Sequence, residues 1–174
     1  MIGQLPINLL RFIVLLLAQV LIFSNILFGT YGINPYIFPL FVLLLPFETP
    51  RWLLMLIGMT AGFILDIFLG SMGMHAAACL LIGYLRPFLI NVITPKGSEF
   101  EISPNVHAQG LVWFIIYLGI SMLVYLSFYL FIEAASFYNF FIQLLRIVGS
   151  TIVSVGLMLI FLFLFSSRKK RRFA

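Results

Sequence analysis

Charge is what this chain has least of. Only 9% of its 174 residues are Asp, Glu, Lys or Arg, and five of them are acidic. Soluble domains carry roughly 25% charged residues, so a water-facing surface of this size has nothing to cover it. No long polar stretch interrupts the chain, which excludes a separate aqueous domain. Cysteine occurs once, as Cys79 inside an apolar run. A lone cysteine excludes an intramolecular disulfide and a cysteine-based metal centre, and its expected role is that of a small buried packing residue. The two histidines, His75 and His107, are expected on opposite sides of a membrane, so they share no metal. The sequence contains no HExxH, no CxxC and no P-loop pattern, and it shows neither a short tandem repeat nor a coiled-coil heptad.

What the chain has in abundance is apolar surface: hydrophobic residues make up 63% of it, and the mean hydropathy is +1.19. A helix needs about 20 apolar residues to cross the hydrocarbon core of a bilayer. Residues 9–28, 52–69, 74–93, 111–132 and 140–165 meet that requirement. A sixth segment, 36–47, is shorter, is bracketed by Pro35 and Pro46, and contains Pro39. Its length suits either a short span or a re-entrant element. The expected fold class is an all-α integral membrane protein, a compact bundle of about six transmembrane helices forming one domain over 1–174.

The basic residues orient this bundle. Lys and Arg mark the cytoplasmic side, and five of the ten lie in the tail 168–172, Arg168-Lys169-Lys170-Arg171-Arg172. Directly after a span, such a run reads as an anchor at anionic headgroups rather than as a nucleic-acid patch. With that tail inside, the loop 94–108 with Lys96, the connection 48–51 with Arg51 and the N-terminus with Arg11 all fall inside, provided 36–47 spans. The outer connections 29–34, 70–73 and 133–139 carry no Lys or Arg. The expectation is therefore a multi-pass protein with both termini cytoplasmic, and the first segment, which no signal-peptidase-like site follows, as a retained anchor.

A charge at membrane depth is costly and usually faces protein. Arg11 is close enough to a helix end to snorkel. Asp66 lies on a stripe of small residues: Gly58, Gly62, Asp66 and Gly70 recur every four positions and share one helix face. Glycine at such spacing lets another backbone approach closely, and the narrow surface that begins at Ala76 and reaches Gly83 suits it. Gly58, Gly62, Gly70, Gly73, Ala76 and Gly83 are the expected helix-packing residues. Arg146 lies on a second small-residue stripe with Ser150 and Ser154. At about 1.5 Å per residue, Asp66 and Arg146 lie roughly 6 and 10 Å from the outer ends of their helices, which makes them a candidate ion pair; the alternative for Arg146 is to snorkel outward. Arg86, followed by Pro87, marks either a bend with a snorkelling side chain or a functional site. Gly70-Ser71-Met72-Gly73 with His75 only faintly resembles a serine-hydrolase arrangement, and Asp66 is the only acid within a span, so an aspartyl dyad is excluded. The reading is non-enzymatic, with no cofactor and no metal.

The stretch LLLPFETPRWLLMLIGMTAGFILDIFLGSMGMHAAACLLIGYLRPF, residues 43–88, resembles the rod shape-determining protein MreD family, in its Bacteroidetes-type branch. The resemblance rests on a proline-bounded short span, then Pro50-Arg51-Trp52, then Gly62, Asp66, Gly70 and Gly73 leading into an alanine-rich helix. It covers about a quarter of the chain, and the remainder agrees by hydropathy. It implies a scaffold of the cell-elongation machinery in the bacterial inner membrane, supporting side-wall peptidoglycan synthesis and cell shape. The implied partners are an MreC-like single-span periplasmic protein and, indirectly, the shape-determining glycosyltransferase, its penicillin-binding transpeptidase and MreB, besides membrane lipids. The family also resembles the substrate-binding subunits of energy-coupling-factor transporters, which implies the alternative of a binding subunit for a vitamin-type molecule. Short outer connections with few hydrogen-bonding groups beyond Asn34, Ser71, His75 and Asn139 favour the scaffold.

Overall fold

A computed structural model describes residues 5–25, 32–94, 109–134 and 140–165. Among these residues helix dominates and there is no strand. Helix α1 (Leu5–Leu17) continues through a π turn (Ala18–Ile22) and a 3-10 turn (Phe23–Asn25). One helical turn, α2 (Leu40–Leu43), precedes the four long helices α3 (Arg51–Leu69), α4 (Met74–Ile93), α5 (Leu111–Ala134) and α6 (Phe140–Phe165).

The four long helices are each long and apolar enough to cross a membrane, whereas the apolar helix Pro6–Ile22 is shorter. Helices α3, α4, α5 and α6 pack as successive neighbours. Their outward faces carry large apolar side chains such as Leu56, Phe63, Ile67, Phe88 and Phe141, as lipid contact requires. The expected loop 94–108 beyond Thr94, the basic tail 168–172 and the connection 135–139 lie outside the described residues.

The segment 36–47 departs from the expected short spanning helix. Only Leu40–Leu43 is helical. Pro35, Pro39 and Pro46 are the physical reason: a proline in a helix interior removes a donor and clashes with the preceding turn, and the residue before it is pushed toward extended backbone. Every residue from Pro35 to Pro46 is nonetheless buried. Phe38, Leu40, Val42 and Leu43 are fully enclosed and join the aromatic and aliphatic side chains of α5 in one core. Largely non-helical backbone thus runs through the middle of the molecule, where its amides and carbonyls need partners.

The α3–α4 hairpin is the closest packing in the fold. A Cβ on Gly62 would lie 2.5 Å from the carbonyl oxygen of His75, one on Gly58 2.7 Å from that of Cys79, and one on Gly83 2.8 Å from that of Leu54. The contacts step by four residues back along α3 and forward along α4, so the two helices cross backbone to backbone in a single antiparallel register. Ala76 lies in the same seam, its Cα 2.7 Å from the position of a Gly62 Cβ. Gly70 and Gly73 do not belong to this surface, contrary to the sequence expectation. Both have positive φ, 68° and 86°, and no atom stands within 4 Å of where their Cβ would be. They form the left-handed cap after α3 and the one before α4, a conformation that glycine adopts without steric cost.

Candidate functional site

Two polar knots hold this apolar bundle, one at each end of the α3–α4 hairpin. The first is built on Asp66, which is 4% exposed. Its Oδ1 accepts the Ser71 hydroxyl at 2.5 Å and the His75 backbone amide at 3.0 Å, and its Oδ2 accepts the Ala76 amide at 2.9 Å. The His75 ring adds Nδ1, 2.9 Å from both Asp66 Oδ1 and Ser71 Oγ. The first amides of a helix have no partner within it, and α4 begins at Met74. Asp66 therefore caps α4 from the last turn of α3 and closes the turn between them.

This arrangement is not that of a hydrolytic triad. In a Ser-His-Asp relay the acid and the nucleophile use opposite nitrogens of the imidazole, whereas here Asp66 and Ser71 both face Nδ1. The cluster is a clasp, and it fixes the orientation of an imidazole that is only 1% exposed. Tyr129 lies 4.4 Å and Tyr36 6.2 Å from the His75 ring, centroid to centroid.

The second knot is built on Arg86, 1% exposed on α4. Its Nε donates to Tyr117 Oη at 3.0 Å, Nη1 to the Pro46 carbonyl at 3.3 Å, and Nη2 to the Leu45 carbonyl. Tyr117 Oη donates onward to the Leu43 carbonyl at 3.1 Å. The Phe47 ring lies over the guanidinium at 5.6 Å, within cation–π range. The partners of this cation are the Leu45 and Pro46 carbonyls, just past α2, and a phenol rather than a carboxylate. One planar fork reaches several acceptors at once.

Between the knots, side chains bond the irregular backbone. Ser150 Oγ accepts the Asn34 amide at 3.2 Å, and Ser154 Oγ accepts the Tyr36 amide at 2.8 Å. Gln19 Oε1 accepts the amides of Ile37 and Phe38 at 2.8 and 3.3 Å, while Gln19 Nε2 donates to the Pro35 carbonyl at 3.2 Å. Non-helical backbone at membrane depth is tolerated only where protein satisfies it, and these contacts do so from α6 and from the π turn after α1.

The expected pairing of Asp66 with Arg146 is overturned. Arg146 Nη2 meets Glu133 Oε2 at 3.2 Å, and its Nε donates to the Gly32 carbonyl at 3.2 Å. The Arg146–Glu133 pair is partly exposed, so the arginine is turned toward the end of α5 rather than into the clasp. Similar depth brought Asp66 and Arg146 into consideration, but a nearer histidine and a nearer glutamate satisfy them. His75 is the second residue of α4, and it is buried at the centre of the clasp. Pro50 caps α3 with extended backbone, ψ 149°, and its carbonyl accepts the amides of Leu53 and Leu54, while Arg51 and Trp52 are exposed. Gln19 and Tyr117 carried no sequence expectation. A lone amide inside an apolar segment was the available signal for Gln19, since membrane-embedded polar groups are expensive. No group of three or more His, Cys, Asp or Glu among the described residues is placed to hold a metal.

Comparison with known proteins adds no relative: no family model matches the chain, and no curated protein or solved structure is significantly similar to it.

Proposed function

We propose that this chain is a non-enzymatic scaffold of the bacterial cell-elongation machinery, an MreD-like protein of the inner membrane that binds an MreC-like single-span partner. The observation that carries the reading is the role of the residues on which the resemblance rests. Gly62 is a backbone-to-backbone crossing point, Asp66 caps the neighbouring helix, Gly70 and Gly73 make the turn, and Pro50 caps α3. All serve the rigidity of one hairpin, as a platform for assembly requires, and none is arranged for bond-making chemistry. A second observation favours the scaffold over a vitamin-binding subunit. The middle of the bundle, where such a subunit would seat its ligand, is filled by the chain's own residues 35–46, all of them buried.

In this reading the chain crosses the membrane six times. Residues 36–47 count as a crossing made largely without helix, with Tyr36 near the His75 end and Pro46 near Arg86. Both termini are then cytoplasmic, the Asp66 clasp is in the periplasmic half and the Arg86 knot in the cytoplasmic half. The bundle resembles the substrate-binding subunits of energy-coupling-factor transporters in span number. Through the MreC-like partner the scaffold connects to the shape-determining glycosyltransferase, its transpeptidase and MreB.

The test is purification of the tagged chain from its own membrane in mild detergent, with mass spectrometry of what accompanies it. The scaffold reading expects a single-span periplasmic protein and wall synthases. Recovery of ATPase subunits with a membrane coupling subunit would overturn it in favour of a transporter.

A further inference from the structure

A groove of about 520 Å³ runs between α1 and α3. Leu53, Ile57, Thr60 and Ile64 line it from α3, Asn8 and Phe12 from α1, and the buried Leu45 and Pro46 from beneath. The gap exists because α3 meets the π turn after α1 more closely than it meets α1 itself. Leu53 and Ile64 are roughly 17 Å apart along α3 at the rise of an α-helix. Spread over that length, the volume gives a mean cross-section of about 30 Å², against roughly 80 Å² for a helix about 10 Å across. A partner helix therefore does not fit the groove, whereas a single hydrocarbon chain does.

One end of the groove is polar and positive. It is the end at which both α1 and α3 begin, since Gln19, late in the first helical segment, bonds Pro35 and Ile37, while Pro46 lies just before α3. Asn8 and the buried Thr49 line the groove there. Arg11 Nη1 donates to Asn8 Oδ1 at 3.4 Å, and the exposed Arg51 opens α3 between the lining residues Thr49 and Leu53. Arg86, 1% exposed, donates to the carbonyls of Leu45 and Pro46, the two residues beneath the groove. Among the described residues none of these three arginines forms an ion pair with a carboxylate. Glu48, exposed on the connection before α3, is the one acid at this end among them. Buried charges are ordinarily paired, and the field of an unpaired one reaches further through a low dielectric than through water.

We propose that this groove is the binding site of one anionic phospholipid, taken from the leaflet in which α1 and α3 begin. One acyl chain lies along Phe12, Ile57 and Ile64. The phosphate meets Arg11, Asn8 and Arg51, and its charge offsets that of the buried Arg86. A zwitterionic lipid fits the groove equally well by shape, but its headgroup brings a cation of its own to an end already positive. The bound lipid fills the gap between α1 and α3, so it joins the first helix to the rest of the bundle. This inference stands apart from the elongation reading, because it rests on the groove and its charges alone.

The experiment is native mass spectrometry of the full chain in mild detergent, offered equal amounts of dioleoyl phosphatidylglycerol and dioleoyl phosphatidylcholine, which share their acyl chains. The parent is expected to retain one phosphatidylglycerol, with a preference on the order of 20-fold from two arginines that each contribute a factor of about five beside anionic lipid. Arg11→Gln combined with Arg51→Gln is expected to bind both lipids alike. Thr60→Trp fills the groove from an exposed residue whose hydroxyl bonds only carbonyls of its own helix. It is expected to lose the retained lipid while its thermal unfolding stays close to that of the parent. Arg171→Gln with Arg172→Gln, in the basic tail, is expected to change neither the lipid nor the preference. Equal retention of the two lipids by the parent overturns the proposal. So does a preference that survives both the paired arginine change and Thr60→Trp, or one that disappears with the tail change alone. A photoreactive side chain at position 60 that labels a polypeptide instead of lipid in the native membrane also overturns it.

Discussion

Asp66 and Ala76 are joined by a hydrogen bond of 2.9 Å from the Ala76 amide to Asp66 Oδ2, across a turn and between two helices. The bond makes the last turn of α3 and the first turn of α4 one unit. The same carboxylate takes a second amide, from His75. Replacement of Asp66 by Leu therefore orphans two buried amides and leaves the Ser71 hydroxyl only the His75 ring. Each orphan costs about 1–3 kcal/mol, so Asp66→Leu is expected to lower unfolding stability by several kcal/mol in a denaturant titration in detergent micelles. Asp66→Asn keeps one acceptor oxygen and is expected to lose less.

The α3–α4 crossing separates two kinds of glycine. Gly62→Ala drives a methyl into the His75 and Ala76 backbone, and overpacking of this kind costs roughly 1–3 kcal/mol. Gly62→Leu is expected to separate the helices outright. Gly70→Ala meets no atom within 4 Å but must adopt φ near 68°, a left-handed conformation that costs about 1–2 kcal/mol. Thermal unfolding of the purified variants is expected to rank Gly62→Leu below both alanine substitutions, and crosslinking between α3 and α4 is expected to weaken only for the Gly62 variants.

Arg86 holds the Leu45 and Pro46 carbonyls and the Tyr117 phenol at once. Lysine has no planar fork and does not reach Tyr117 and two carbonyls together. Arg86→Lys is expected to destabilise by about 1–3 kcal/mol, the cost of one orphaned buried acceptor, and Arg86→Met by more. Equal stability of Arg86→Lys and the parent in the same titration contradicts this role of the planar fork.

The Arg146–Glu133 pair offers a contrast. Both partners are partly exposed, and ion pairs of that kind contribute about 0–1 kcal/mol. Glu133→Gln is expected to leave stability nearly unchanged. The double exchange of Asp66→Arg with Arg146→Asp is expected to be as damaging as Asp66→Arg alone, because the two residues are not partners. Rescue by the double exchange contradicts the geometry of the Asp66 clasp and of the Arg146–Glu133 pair.

The legible part of this fold was periodic. Gly58, Gly62 and Asp66 recur every four residues, and that spacing alone placed them on one face against the Ala76–Gly83 surface. The prolines at 35, 39 and 46 set off a short segment, a span or a re-entrant element, though not one in which only Leu40–Leu43 would be helical. What did not show was partnership across distance in sequence. Nothing in a hydropathy pattern links Gln19 to Ile37, Ser154 to Tyr36 or Arg86 to Leu45, since each bond is made to backbone, which every residue carries alike. The burial of His75 did not show for a related reason. Its position at a helix start suggested an interfacial residue, and its burial follows from an acid nine residues earlier that the turn folds back onto it. Gly70 lay on the glycine stripe by count, but the helix ends one residue before it, so the periodicity no longer applied.

The most direct test of the scaffold reading is depletion of the protein in its own host, with cell width and the positions of new side-wall synthesis followed by microscopy. The expected result is widening and rounding of the cells with dispersed wall insertion, reversed by the parent chain and not by Gly62→Leu. Cells that keep their width and insertion pattern while losing uptake of a small molecule contradict it.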